Sequence, residues 1–124
     1  MPTPTTLSPR PRGAVIGCGG MGRHHIHALA TLPAVELVGI SDIFAPNLAR
    51  GGDEVNLPEA KRFLDYRQLF DDARPEFVVV ATQAPQHAEI TIAAAEVGLA
   101  LGIVLRVFRN RGTANVDEID SLKW

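Results

Sequence analysis

The sequence predicts an α/β fold, a doubly wound parallel sheet with helices on both faces. Three observations predict it. The strand-like runs Ala14–Ile16, Val35–Ser41 and Phe77–Ala81 are near-continuously apolar, as strands buried on both faces must be. Segments of helical period separate these runs, which is the order of strand–helix–strand units. A glycine-rich turn joins the first run to the first helical segment.

The elements follow in order. Ala14–Ile16 is a short buried strand ending at Gly17, and a helix is expected over Met21–Leu32 because Pro33 stops it. His25 shares its expected apolar face with Met21, Ala28, Leu29 and Leu32. Val35–Ser41 forms the second strand. Pro46 can open a short helix through Arg50, which Gly51-Gly52 would end. Arg62–Leu64 fits a short third strand and Tyr66–Asp72 a brief helix closed by Pro75. After the strand Phe77–Ala81, an alanine-rich helix over His87–Val97 sets Ile90, Ala93, Ala94 and Val97 on one stripe, with Gly98 as its stop.

Composition narrows the function. The chain has 124 residues, the size of one domain, and its formal charge of −2 gives no reason to expect nucleic acid or an anionic membrane as partner. A single cysteine, Cys18, excludes an internal disulfide and fits a reducing compartment. Residues 1–12 hold four prolines and three threonines and read as a disordered tail with no signal-peptide character. No segment is long enough to span a bilayer. A cytoplasmic location is the expectation.

Gly17-Cys18-Gly19-Gly20-Met21-Gly22 fits G-x-G-x-x-G, a weak pattern by itself. Here a strand precedes it, a helix follows, and Asp42 lies 20 residues beyond Gly22 at the end of the next strand. Gly17 permits the tight turn, Gly19 admits a pyrophosphate to the backbone, and Gly22 lets helix and strand pack. N–H groups of Gly20, Met21 and Gly22 at the helix N-terminus would face the anion. Asp42 would accept hydrogen bonds from ribose hydroxyls, and Ile43 and Phe44 bring no arginine for a 2′-phosphate. NAD is favoured over NADP.

His24, His25 and His27 lie just after this loop. Helical metal pairs use four-residue spacing with further ligands nearby; that spacing is missing, and Cys18 excepted, no carboxylate or cysteine stands close in sequence. A packed His25 and two surface histidines are expected, with no metal. Cys18 sits near a helix N-terminus, which can lower a thiol pKa, or it is simply a small residue in a crowded loop.

From Arg12 to Gly98 the wider pattern resembles the N-terminal domain of the Gfo/Idh/MocA oxidoreductases. The likeness rests on Ile16–Gly22, His25, Ala28-Leu29, Pro33, Glu36–Asp42, Asp65–Phe70, Val80-Ala81-Thr82, His87–Ile90 and Ala93–Gly98. It implies a Rossmann-like domain holding a dinucleotide, from an enzyme oxidising a CH–OH group of a sugar or cyclitol. It also implies a place near the cofactor for Thr82, Pro85 and His87, although Gln83 stands where the family has proline. In an open α/β sheet their loop leaves a strand on the same edge as the glycine loop.

The resemblance breaks after Gly98. The family continues with a Glu-Lys-Pro motif whose lysine lies at the reaction centre, and no Glu-Lys-Pro occurs here. Leu99–Phe108 is apolar enough for a fifth strand, while Arg106 cannot replace a lysine that must share a proton. Asn115–Leu122 again resembles the helix that follows the motif. A shifted reading frame and genuine divergence both account for the patch. The expected organisation is therefore a tail over 1–12, a dinucleotide-binding unit over 13–98 and a divergent segment over 99–124. With the family's C-terminal substrate domain absent, no catalytic residue is assigned. The chain is expected to bind NAD without completing catalysis, or to serve as a regulatory module that self-associates or pairs with a full-length paralogue.

Overall fold

The computed structural model describes residues 10–103. Nine elements and one 3₁₀ turn alternate along them. They are β1 (Arg12–Ile16), α1 (Gly20–Thr31), β2 (Glu36–Ser41), α2 (Ala45–Glu54), the turn Glu59–Lys61, β3 (Arg62–Phe63), α3 (Tyr66–Ala73), β4 (Phe77–Val80), α4 (Ala84–Glu96) and β5 (Ala100–Ile103). All strand pairs are parallel and the order is β3-β2-β1-β4-β5. The chain thus winds outward from β1 to one edge, then crosses back to lay β4 on the other side of β1. This is the doubly wound sheet that the sequence predicts.

The apolar runs fill two layers. Ala14, Ile16, Val78 and Val80 face one side, where Leu69 and Phe70 of α3 and Ile90, Ala93 and Ala94 of α4 cover them. Val15, Leu37 and Ile40 face the other, against Ile26 of α1 and Leu48 of α2. Successive residues of β1 serve opposite faces, so a polar residue fits at neither. Arg12 fixes where the first strand begins: its backbone N–H donates to Glu76 Oε1 at 2.8 Å, and its Nη2 donates to the Arg74 carbonyl at 2.9 Å. Arg10 Nη2 donates to the Val35 carbonyl at 2.9 Å.

Several local expectations need correction. α2 does not end at Arg50 but runs through Gly51 and Gly52, both buried inside it. A Cβ on Gly51 would lie 3.2 Å from Ile26 Cδ1, and one on Gly52 would overlap the Arg62 guanidinium. These glycines serve close packing and stop nothing. The buried face of α1 carries Gly22 and Ile26; His25 is half-buried at its edge, while Ala28 and Leu32 are exposed. Val97 is exposed, outside the α4 stripe. α4 begins three residues earlier than expected, because Pro85 suits a first helical turn.

Residues 100–103 continue the sheet as β5, with Phe77 opposite Ala100 and Val80 opposite Ile103. Residues 1–9 of the expected tail, Arg106 and the helix-like Asn115–Leu122 lie outside the described residues.

Candidate cofactor-binding site

Crossing from β3 to β4 leaves a crevice at the carboxyl ends of β1 and β4, where open α/β sheets bind ligands. Gly17 ends β1 there with φ +105°, a conformation that L side chains rarely adopt. A Cβ on it would lie 2.7 Å from both the carbonyl carbon and the oxygen of Ala81, and 2.8 Å from the Thr82 nitrogen. The two loops therefore touch backbone to backbone. A Cβ on Gly22 would overlap the Gly17 carbonyl oxygen, so α1 can seat on β1 only with glycine there.

Gly19 and Gly20 differ. A Cβ on either would meet nothing within 4 Å, and Gly19 lines the open crevice. Gly19 is also the N-cap of α1, with no side-chain cap and no acidic residue in the first turn. The N–H groups of Gly20, Met21 and Gly22 thus present the positive end of the helix without a side-chain partner. A cradle of this form suits a pyrophosphate.

Asp42 follows β2 on the same edge. Its Oδ2 accepts the Cys18 N–H at 2.7 Å and its Oδ1 the Phe44 N–H at 2.8 Å. Each oxygen has a lone pair left over, so the carboxylate is held in place and can still accept from hydroxyls. A cavity of about 550 Å³ opens between these parts. Gly17, Gly19, Asp42 and Thr82 line it, and so do Phe44 and Tyr66. Its size suits a cofactor fragment.

Pro85 and His87 do not line this cavity. Pro85 is exposed in the first turn of α4. His87 is buried, and its Nε2–H donates to the Thr82 carbonyl at 2.6 Å, while Nδ1 is buried without a partner. His87 therefore bears on the crevice by holding the residue that lines it. The cavity's other wall comes from Tyr66 of α3 and Gln86, Glu89 and Ile90 of α4. Sequence reasoning gave none of these four a place at the site, since only the placement of β4 beside β1 brings α3 and α4 to the glycine loop.

Cys18 is buried, and its thiol is pushed up to about 12, first by loss of solvent and then by the Asp42 charge. Any lowering by the nearby helix end is overcome. His27 Nε2 lies 2.9 Å from Glu54 Oε1, and Arg23 Nε lies 3.4 Å from the same oxygen. The His27 hydrogen bond is the main cause that holds the Glu54 carboxyl below its usual range. His24 and His25 meet edge to face at 5.5 Å. Among the described residues no three His, Cys, Asp or Glu side chains are grouped to hold a metal ion, and no helix is long and apolar enough to cross a membrane.

Comparison with known proteins places this geometry. The pattern of the GFO_IDH_MocA oxidoreductase family, NAD-binding Rossmann fold, matches residues 12–104. D-apiose dehydrogenase of Paraburkholderia graminis is 32% identical over 96 residues, covering 77% of this chain and 25% of that protein. Inositol 2-dehydrogenase of Salmonella typhimurium is 32% identical over 84 residues, covering 67% of this chain and 25% of that one. An Agrobacterium radiobacter oxidoreductase crystallised with NAD+, L-tartaric acid and magnesium superposes with a TM-score of 0.68 at 27% identity, covering 74% of this chain and 26% of that one. The chain spans about a quarter of the length of these relatives. A shorter likeness is of another kind: NADH-quinone oxidoreductase subunit K 1 of Koribacter versatilis is 62% identical over 32 residues, which is 26% of this chain and 32% of that protein.

Proposed function

Because the chain belongs to the Gfo/Idh/MocA oxidoreductase family and forms its NAD-binding Rossmann fold, we propose that Gly17–Gly22 and Asp42 hold the dinucleotide in the crevice beside Thr82. The pyrophosphate lies over Gly19 and the first turn of α1, and the adenosine ribose hydroxyls donate to Asp42. Thr82, kept in place by His87, flanks the cofactor on the β4 side, with Pro85 fixing the start of α4. Bound NAD supplies a hydride acceptor. The chain's own residues orient it and, at Asp42, disfavour a 2′-phosphate by like charge. The observation that carries this reading is the contrast between Gly17 and Gly22, packed against backbone, and Gly19, open to the cavity.

The parent activity is oxidation of a CH–OH group of a sugar or cyclitol, the class that the dehydrogenase relatives support. Hydride transfer needs donor and acceptor carbons held together with water excluded. The chain has no Glu-Lys-Pro motif, so by itself it binds NAD and turns over nothing. Titration of the purified chain against NADH fluorescence tests the first half. Measurable dehydrogenase turnover would overturn the second. A regulatory module that self-associates or pairs with a fuller paralogue is the alternative, and an NAD-dependent shift on size-exclusion chromatography would favour it.

The subunit K likeness favours a second reading, of the segment after Gly98. A stretch of 32 residues is too long to lie wholly beyond residue 104, where the family match stops. The Glu-Lys-Pro motif expected after Gly98 is missing, and we place the stretch over that part of the chain. On this reading the chain joins, in frame, a dinucleotide-binding unit to a segment of separate descent, and no shifted frame is needed. Peptide mapping of the protein from its source cells tests it. The tryptic peptide Gly112–Lys123 should accompany the glycine-loop peptide, and its absence would return the shifted frame.

A further inference from the structure

The cavity has a wall that the dinucleotide-binding residues leave unused. Ile43 and Phe44, both apolar and exposed, follow Asp42 and line the cavity, as do Tyr66, Glu89 and Ile90. The Tyr66 O–H donates to Glu89 Oε2 at 2.9 Å, and Arg67 Nη1 lies 3.5 Å from the same oxygen. The Tyr66 ring is held in turn: Phe70 meets it edge to face at 5.6 Å, and the Arg67 guanidinium carbon sits 4.9 Å from its centroid. The carboxylate is thus pinned through one oxygen. Among the described residues nothing donates to the other, Oε1.

We propose that Glu89 reads the exocyclic amine of the cofactor's purine, so that this wall favours adenine over a purine without the 6-amino group. The inference rests on the dinucleotide reading above. With the pyrophosphate at Gly19 and the ribose at Asp42, the base extends next in line, between the apolar Ile43 and Phe44 and the Tyr66–Glu89 wall. An ionised carboxylate only accepts hydrogen bonds. An amine on the base completes Oε1, whereas a hydrogen at that position offers it no donor and leaves the oxygen to water. The Tyr66 bond matters because it fixes the carboxylate before the base arrives, reducing the ordering that binding would require.

The test compares NADH with reduced nicotinamide purine dinucleotide, in which hydrogen replaces that amine and the fluorescent nicotinamide is unchanged. The full chain should bind NADH about five-fold or more tightly than the form without the amine. Glu89→Gln keeps the length and can still accept from Tyr66, but its amide can turn to donate, so the preference should fall within about two-fold. Glu89 is exposed, and circular dichroism of the variant should match the parent. Equal binding of both dinucleotides by the parent chain, or an unchanged preference in Glu89→Gln, would overturn the inference and leave the dinucleotide reading standing. Binding of neither would overturn both.

Discussion

Asp42 Oδ2 accepts the Cys18 N–H at 2.7 Å, which ties the end of β2 to the middle of the glycine loop. The carboxylate therefore has a structural task apart from any ribose. Asp42→Arg should shift preference from NADH toward NADPH in fluorescence titration. It should also lower stability by about 1–3 kcal/mol, since it strands a donor in a buried stretch of backbone. Unchanged cofactor preference would remove Asp42 from the ribose.

Substitutions along the glycine loop should separate binding from folding. Gly19→Val places its side chain in open space, so NADH binding should be abolished while the melting temperature stays within a few degrees. Gly22→Val meets the Gly17 carbonyl and should lose cooperative unfolding or lower Tm sharply. If both variants melt alike, the contrast between the two glycines fails.

The Cys18 thiol should be unreactive in the folded chain. With its pKa raised from 9.0 to about 12, almost no thiolate exists near pH 8, and a disulfide reagent should label it only after denaturant is added. The linkage sign follows from the raised value. The unfolded chain loses this proton first, so the contribution to stability is full below pH 9.0 and is lost as pH climbs toward about 12. Denaturant midpoints for Cys18→Ala should fall less steeply over that window than those of the parent.

His87→Phe keeps a buried ring but removes the donor to the Thr82 carbonyl. NADH affinity should drop several-fold with less than about 1.5 kcal/mol lost in stability, the scale of one net hydrogen bond. A loss of stability with affinity unchanged would make His87 a packing residue alone.

Among the described residues, none that lines the cavity lies beyond Ile90. A chain ending after residue 104 should therefore bind NADH as the full chain does, within about two-fold by the same titration. A large loss would give the last twenty residues a part in the site.

The layers of this fold were legible because burial on both faces leaves a direct trace: Phe77–Val80 admits only apolar residues, and the strand could be read at once. Gly51-Gly52 misled for the opposite reason. A glycine pair looks like a helix stop unless the Arg62 side chain that crosses over it is known, and that contact is tertiary. The apolar face of α1 was misread by one position, since its orientation is set by the overlap of Gly22 with Gly17 and not by the pattern of large side chains. At the site, the glycine loop and Asp42 could be found because their spacing is local to one strand–helix–strand unit. Tyr66 and Glu89 are 23 residues apart, and nothing local signals that they meet.

The contact of Gly17 with Ala81 and Thr82 has a genetic consequence. Both sides of it are main chain, so no exchange of side chains at 81 or 82 can make room for a larger residue at 17. A selection for second-site suppressors of Gly17→Ala should return true revertants, or changes that displace the whole β4–α4 loop, and no compensating pair at these positions.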